Sequence, residues 1–164
     1  MKKIIVIGCP GSGKSTFSKA LHKITGIELF HLDMMFWNTD KTTVEKSVFL
    51  EKLRAVLQKD EWIIDGNYAA TMELRMKQCD TVFFLDYPPD VCLQGIKERQ
   101  GKQRSDMPWC DAEDDVHFIE FVKNYNLESR PKVMELLQKN VNKNVFIFTA
   151  REQEKDFLNS YHMR

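Results

Sequence analysis

The chain has 164 residues, 43% hydrophobic and 29% charged, a size and balance that suit one globular α/β domain and exclude collagen-like or disordered classes. Its 24 basic and 24 acidic residues cancel to zero net charge, so it lacks the cationic excess on which non-specific nucleic-acid binding rests. It contains no run of about 18 apolar residues that would span a membrane.

Lys3–Ile7 is short, β-branched and stopped by Gly8, the signature of a buried strand. The apolar stretch around it is too short for a signal-peptide core. Residues 14–24 predict a helix with Phe17, Ala20, Leu21 and Ile24 on one face, ended by Gly26. Residues 27–32 read as a second strand. Thr42-Thr43-Val44-Glu45 has a capping-box pattern and predicts a helix start there. Residues 62–64 form a third strand ended by Asp65-Gly66, and a short helix carrying Arg75 follows. Residues 81–85 are apolar without alternation, as in a strand covered on both faces. Pro88-Pro89-Asp90 starts a helix to about Gln100. Residues 101–115 are polar and weakly periodic and predict a mobile segment. Helices over 116–124 and 131–140, a fifth strand over 145–148 and a helix over 152–161 complete the chain. Alternating strands and helices without a linker predict one α/β domain over residues 1–164, a parallel sheet with helices on both faces.

Four cysteines, Cys9, Cys79, Cys92 and Cys110, show neither a CxxC pair nor zinc spacing. They read as reduced thiols, which predicts a cytoplasmic protein; Cys9 reads as a small filler.

Gly8-Cys9-Pro10-Gly11-Ser12-Gly13-Lys14-Ser15 fits G-x-x-x-x-G-K-[ST], between a strand and a helix as that motif requires. Glycines let the backbone curl so that N–H groups face an anion, and the helix end adds its positive dipole. Gly8 to Thr16 are therefore the expected binding segment for ATP. Lys14 is expected to reach the β- and γ-phosphates and follow the transferring charge, and the Ser15 hydroxyl to ligate Mg²⁺. Three aspartates end strands: Asp33, Asp65 and Asp86. Asp65, beside Gly66, is the favoured holder of the Mg²⁺ waters; Asp33 is open between acceptor, metal and turn roles, and Asp86 reads as a turn former. Phosphoryl transfer wants guanidinium groups around the moving charge, which nominates Arg99, Arg104 and Arg130 as catalytic. Beyond the second strand, Asp33, Phe36 and Trp37, with Asn67, Tyr68 and Arg75, are nominated for the acceptor. For Phe36 and Trp37 core packing is an equal alternative, and for Arg75 solvent exposure. His31 reads as structural.

Together the phosphate loop, Trp62-Ile63-Ile64-Asp65-Gly66, Val82-Phe83-Phe84-Leu85-Asp86-Tyr87-Pro88 and the Arg99/Arg104 lid resemble the adenylate kinase-like nucleotide kinases. His31-Leu32-Asp33 with Phe36-Trp37, Ile64-Asp65-Gly66-Asn67-Tyr68 and Arg130-Pro131-Lys132 are similar to the FlaR-related kinases, also labelled DNA-topology modulation proteins. The resemblance implies a three-layer P-loop nucleoside triphosphate hydrolase fold with a five-stranded parallel sheet in order 2-3-1-4-5 and a lid closing over ATP. It also implies Arg99 and Thr149–Arg151 as candidates to contact the adenine. Where adenylate kinases read D-G-x-P-R, this chain has Asp65-Gly66-Asn67-Tyr68-Ala69, without the proline and the AMP-binding arginine.

The expected activity is ATP-dependent phosphoryl transfer to a small molecule, with nucleosides and nucleotides among the acceptors considered, by a monomer or homodimer with neither membrane nor nucleic-acid partner. The competing reading is a nucleotide-dependent regulator, including a DNA-associated one. Val141-Asn142-Lys143-Asn144 lacks the aspartate of a guanine-reading N-K-x-D.

Overall fold

The computed structural model describes residues 1–110 and 115–162. Five strands, β1 (Lys3–Gly8), β2 (Leu29–His31), β3 (Trp62–Asp65), β4 (Thr81–Leu85) and β5 (Asn144–Phe148), form one all-parallel sheet. Their order is β2-β3-β1-β4-β5. Eight helices surround it among the described residues: α1 (Lys14–Thr25), α2 (Leu32–Phe36), α3 (Lys46–Leu57), α4 (Ala69–Gln78), α5 (Pro89–Arg99), α6 (Val116–Glu128), α7 (Arg130–Lys139) and α8 (Arg151–His162).

The strand sequences explain the three layers. Side chains alternate between sheet faces, yet β1, β3 and β4 are apolar at nearly every position because both faces are covered. Ile5, Ile7, Ile64, Val82 and Phe84 point into one core, packed with Phe49, Leu53 and Met76. Ile4, Val6, Ile63, Phe83 and Leu85 point into the other, packed with Phe17, Leu21, Cys92 and Tyr125. The strand order makes β1 the switch point, with β3 on one side and β4 on the other. In such sheets ligands sit beyond the carboxyl ends of the strands at that point. Here Gly8 to Ser15, Asp65 and Asp86 follow there.

Two local expectations are corrected. The second strand covers only Leu29–His31; Leu32 is fully buried and opens the short α2 instead of ending the strand. The third helix starts at Lys46, not at the Thr42 box. Thr42 is bound through its N–H and hydroxyl to Asp40, and Thr43 bridges to Trp37, so neither side chain caps the helix. This turn fixes Trp37 at the mouth of the site. Of the lid expected over 101–115, residues 111–114 lie outside the described residues.

Candidate functional site

A cleft of about 1770 Å³ opens at the carboxyl end of the sheet. One ligand pocket typically measures about 300–1,000 Å³, so this one has room for a nucleotide and a second molecule. Its floor is the segment from Pro10 to Thr16; its walls carry Asp33, Trp37, Asn67 and Tyr68 on one side, Arg99 and Arg151 on another, and the lid from Gln100 to Trp109 above.

The floor is backbone held by neighbouring backbone. Gly11 has φ +83°, and a Cβ there would lie 2.0 Å from the Cys92 carbonyl oxygen of α5. A Cβ at Gly95 would in turn lie 2.1 Å from the Gly11 carbonyl oxygen. The loop and α5 therefore meet glycine on glycine. Asn67 spans the other side: its Oδ1 accepts from Gly8 N–H at 3.1 Å and its Nδ2 donates to the Gly8 carbonyl at 2.7 Å. No side chain caps the N-terminus of α1, so the open N–H groups of its first turn face the cleft. Cys9 is buried, and its contact with Cys92 together with burial pushes the thiol up, keeping it protonated.

Lys14 Nζ donates to the carbonyls of Gly8 and Cys9 at 2.9 and 3.0 Å. Burial pulls its pKa below the usual lysine range, against the opposing pull of Asp65 and Asp33. Asp65 is 4% exposed; its Oδ1 sits 2.9 Å from His31 Nδ1, and its Oδ2 is buried with no hydrogen-bond partner. A buried orphaned carboxylate oxygen beside Lys14 and the Ser15 end of the loop fits the oxygen chemistry of Mg²⁺. Ser15 and Asp65 are thus the residues that would hold the ion, directly and through water. Among the described residues no three His, Cys, Asp or Glu side chains stand close enough to hold a bare metal ion.

Asp33 is half-buried beside this charge cluster. Desolvation raises its pKa, and the hydrogen bond from Tyr68 Oη, at 2.6 Å, and the charge of Lys14 moderate the rise. Tyr68 has φ +35°, a conformation that costs a non-glycine residue about 1–3 kcal/mol and persists only where the surroundings enforce it. Here Arg75 enforces it. Its guanidinium is fully buried on α4 and donates to the carbonyls of Gly66, Asn67 and Tyr68 and to Thr71 Oγ1. Burial lowers its pKa to about 10. Arg75 therefore neither touches an acceptor nor lies in solvent; it splints the loop that carries Asn67 and Tyr68.

The aromatic pair divides. Trp37 lines the cleft and meets Trp109 of the lid edge to face, centroids 4.8 Å apart. Phe36 packs against Phe49 and Tyr68, 5.3 and 4.9 Å away, on the core side. The arginines divide too. Arg99, Arg104 and Arg151 line the cleft, and Arg99 lies close enough to oppose the charge of Lys14. Arg151 sits 4.0 Å from Glu98. Arg130 is not among the lining residues; it grips Asp86 through Nε, at 2.8 and 3.0 Å, and Nη2, at 2.8 Å. Asp86 is thus an ion-pair partner tying α7 to the end of β4, more than a turn former.

Two residues escaped the sequence reading. Asp106, between Gln100 and Trp109, is 6% exposed and lies 3.5 Å from Lys19 Nζ and 3.6 Å from Arg104 Nη1. Burial opposes its charge, but Arg104, Ser15 and Lys19 outweigh it and hold Asp106 below the usual carboxylate range. Lys19 stands four residues after Ser15 on the same face of α1, a spacing visible in the sequence; Asp106 had only its place two residues after Arg104.

No family model matches the chain. It is 29% identical to the adenylate kinase of Thermotoga neapolitana over 123 residues, 71% of this chain and 55% of that protein. It is 30% identical to the adenylate kinase of Thermotoga maritima over 110 residues, 63% of this chain and 49% of that one. The chain thus spans about half the length of the curated relatives it matches. Among solved structures, a shikimate kinase from Acinetobacter baumannii in complex with shikimate superposes with a TM-score of 0.62 at 18% identity, covering 98% of this chain and 90% of that one. A sugar kinase from Janibacter superposes with a TM-score of 0.52 at 14% identity, covering 98% and 91%. These superpositions show that the chain shares the fold of those structures.

Proposed function

We propose that the protein transfers the γ-phosphoryl group of ATP to a hydroxyl of a small molecule that carries no phosphate of its own. The observation that supports this most is that Asp33, a half-buried carboxylate, shares one cleft with the phosphate loop and lies within electrostatic reach of Lys14. The loop and the first turn of α1 receive the β- and γ-phosphates through N–H groups. Lys14 leaves its two loop carbonyls for those phosphates. Mg²⁺, when bound, neutralises charge developing on the β- and γ-oxygens. Asp33 accepts the proton of the attacking hydroxyl, a task for which a pKa raised by burial is suited. Arg99 and Arg104 answer the equatorial charge, with Arg99 and Arg151 beside the nucleotide, while Asn67 holds the Gly8 end of the loop. The matched adenylate kinases and the shikimate and sugar kinases of like fold are all kinases, which supports this reading.

The acceptor class follows from where the cations are. A phosphomonoester acceptor calls for a guanidinium fork, and on the acceptor wall Arg75 is spent on backbone carbonyls. What remains there is Asp33, Tyr68, Trp37 and the lid's Trp109, a carboxylate among aromatic faces, with Lys41 at the exposed rim. This suits a neutral ring bearing hydroxyls, a sugar or a nucleoside. ADP release in the presence of Mg²⁺ is measured with a panel of nucleosides and sugars and with their monophosphates. Stimulation by an unphosphorylated compound is expected. Stimulation confined to the monophosphates would overturn the acceptor class. Turnover indifferent to every acceptor, joined to salt-dependent DNA binding, would support the regulatory reading instead.

A further inference from the structure

Resting on the phosphate-loop reading above, we infer that Asn67 is a positioning residue of that loop: its carboxamide keeps hold of the Gly8 carbonyl when Lys14 releases it to reach the phosphates. β3 pairs with β1 only as far as Asp65, which stands opposite Val6. Gly66 N–H then donates to the Val6 carbonyl at 3.2 Å. On that side the ladder stops short of Gly8, and the Asn67 side chain takes the place of the missing strand. Its Oδ1 accepts from Gly8 N–H at 3.1 Å, and its Nδ2 donates to the Gly8 carbonyl at 2.7 Å. A carboxamide offers the same donor and acceptor as a peptide group, so one side chain extends the ladder by one step.

The consequence falls on Lys14. The buried Gly8 carbonyl accepts from two side chains, Asn67 Nδ2 and, at 2.9 Å, Lys14 Nζ. The Cys9 carbonyl likewise accepts twice, from Lys14 Nζ at 3.0 Å and from Ser12 N–H at 3.1 Å. Each carbonyl that Lys14 leaves therefore retains a second donor. A buried carbonyl left with none bears its full desolvation cost, so the second donors make release of the ammonium cheaper and hold the turn in shape while it moves. At Cys9 that donor is the loop's own backbone. At Gly8 it is a side chain from the end of another strand, and a substitution can remove it. Its mount is firm: the fully buried Arg75 donates to the carbonyls of Gly66 and Asn67. Asparagine is the side chain this position needs, because an aspartate of the same shape is an acceptor only when ionised and sets oxygen against the Gly8 carbonyl.

The test measures binding of the imido analogue of ATP with Mg²⁺ by calorimetry in the wild type, Asn67→Ala, Lys14→Ala and the double variant. Removing Asn67 should weaken binding about tenfold or more when Lys14 is present. In the Lys14→Ala background no ammonium leaves the carbonyl, and the same change should cost no more than about twofold. A loss as large in that background would overturn the inference and make Asn67 a brace independent of Lys14. Unchanged affinity in Asn67→Ala would overturn it in favour of an acceptor contact. Asn67→Asp should bind no better than Asn67→Ala, and wild-type affinity in it would also contradict the donor role. If the variants do not fold, or Lys14→Ala binds too weakly to read, solvent exchange of the Asn67 side-chain amide protons in the ¹⁵N-labelled wild type decides. Their protection should persist when the analogue is added, and its loss would overturn the inference. Failure of the wild type to bind the analogue would remove the phosphate-loop reading itself, an outcome distinct from the others.

Discussion

The floor of the cleft is made of backbone, whereas the wall from Asp33 to Trp109 is made of side chains held by other side chains. On the floor, glycines at 8, 11, 13 and 95 allow close approach or positive φ, and the ligand groups are amides that every residue owns. On the wall, each group depends on a chain of supports: Arg75 fixes the carbonyls of 66–68, these fix Tyr68, and Tyr68 orients Asp33. A backbone site is specified by a short motif and tolerates little variation. A side-chain wall can change its acceptor by changing a few residues. Under the proposed function, chemistry on triphosphates is anchored in one region and specificity in the other.

The largest expected effect strikes the floor. Lys14→Ala removes the ammonium that balances the transferring charge, and phosphoryl transfer should fall by roughly a thousandfold or more in steady-state rates, with the melting temperature little changed. A comparable rate in the variant would show that the floor is not the reaction centre. Next comes the wall. Arg75→Ala empties a fully buried site and leaves three carbonyls short of donors, and urea unfolding should register a loss of about 3 kcal/mol or more. A loss of acceptor affinity without destabilisation would instead put Arg75 in the acceptor pocket.

Arg130→Ala tests the boundary of the site. It leaves Asp86, 7% exposed at its side chain, without its fork of hydrogen bonds. The expected cost is about 2 kcal/mol in unfolding, discounted from a fully buried pair because Arg130 is 39% exposed, with kcat largely kept. A large fall in kcat at unchanged stability would return Arg130 to the catalytic set. The smallest effect concerns pH. If Asp33 takes a proton, activity rises as pH rises through its pKa, which burial lifts above the usual aspartate value. The Tyr68 hydroxyl favours the charged form, so Tyr68→Phe lifts that pKa further and moves the acid limb of kcat/KM to higher pH. A shift toward lower pH would contradict the hydrogen bond's role.

The same contrast governs what could be read from the sequence. The phosphate loop was legible because its motif and its strand-helix setting are local. So was the sheet, whose apolar strands leave little choice of burial, and its order came with the family resemblance. Arg75 was not legible: whether a helical arginine faces solvent or a loop's carbonyls depends on the turn before the helix, here Gly66 to Tyr68. Asp86 with Arg130 was not, because 44 residues separate the partners. Thr42 misled because its hydroxyl serves Asp40 in a turn, a local bond that competes with capping. Asp106 hid in a segment without periodicity, where only the fold brings it to Lys19.

The most direct test of the account compares wild type and Asp33→Asn for acceptor-dependent ADP release at saturating MgATP, with MgATP affinity measured alongside by calorimetry. The account predicts unchanged nucleotide binding and a fall in acceptor-dependent turnover of about a hundredfold or more. Full turnover in Asp33→Asn would contradict it.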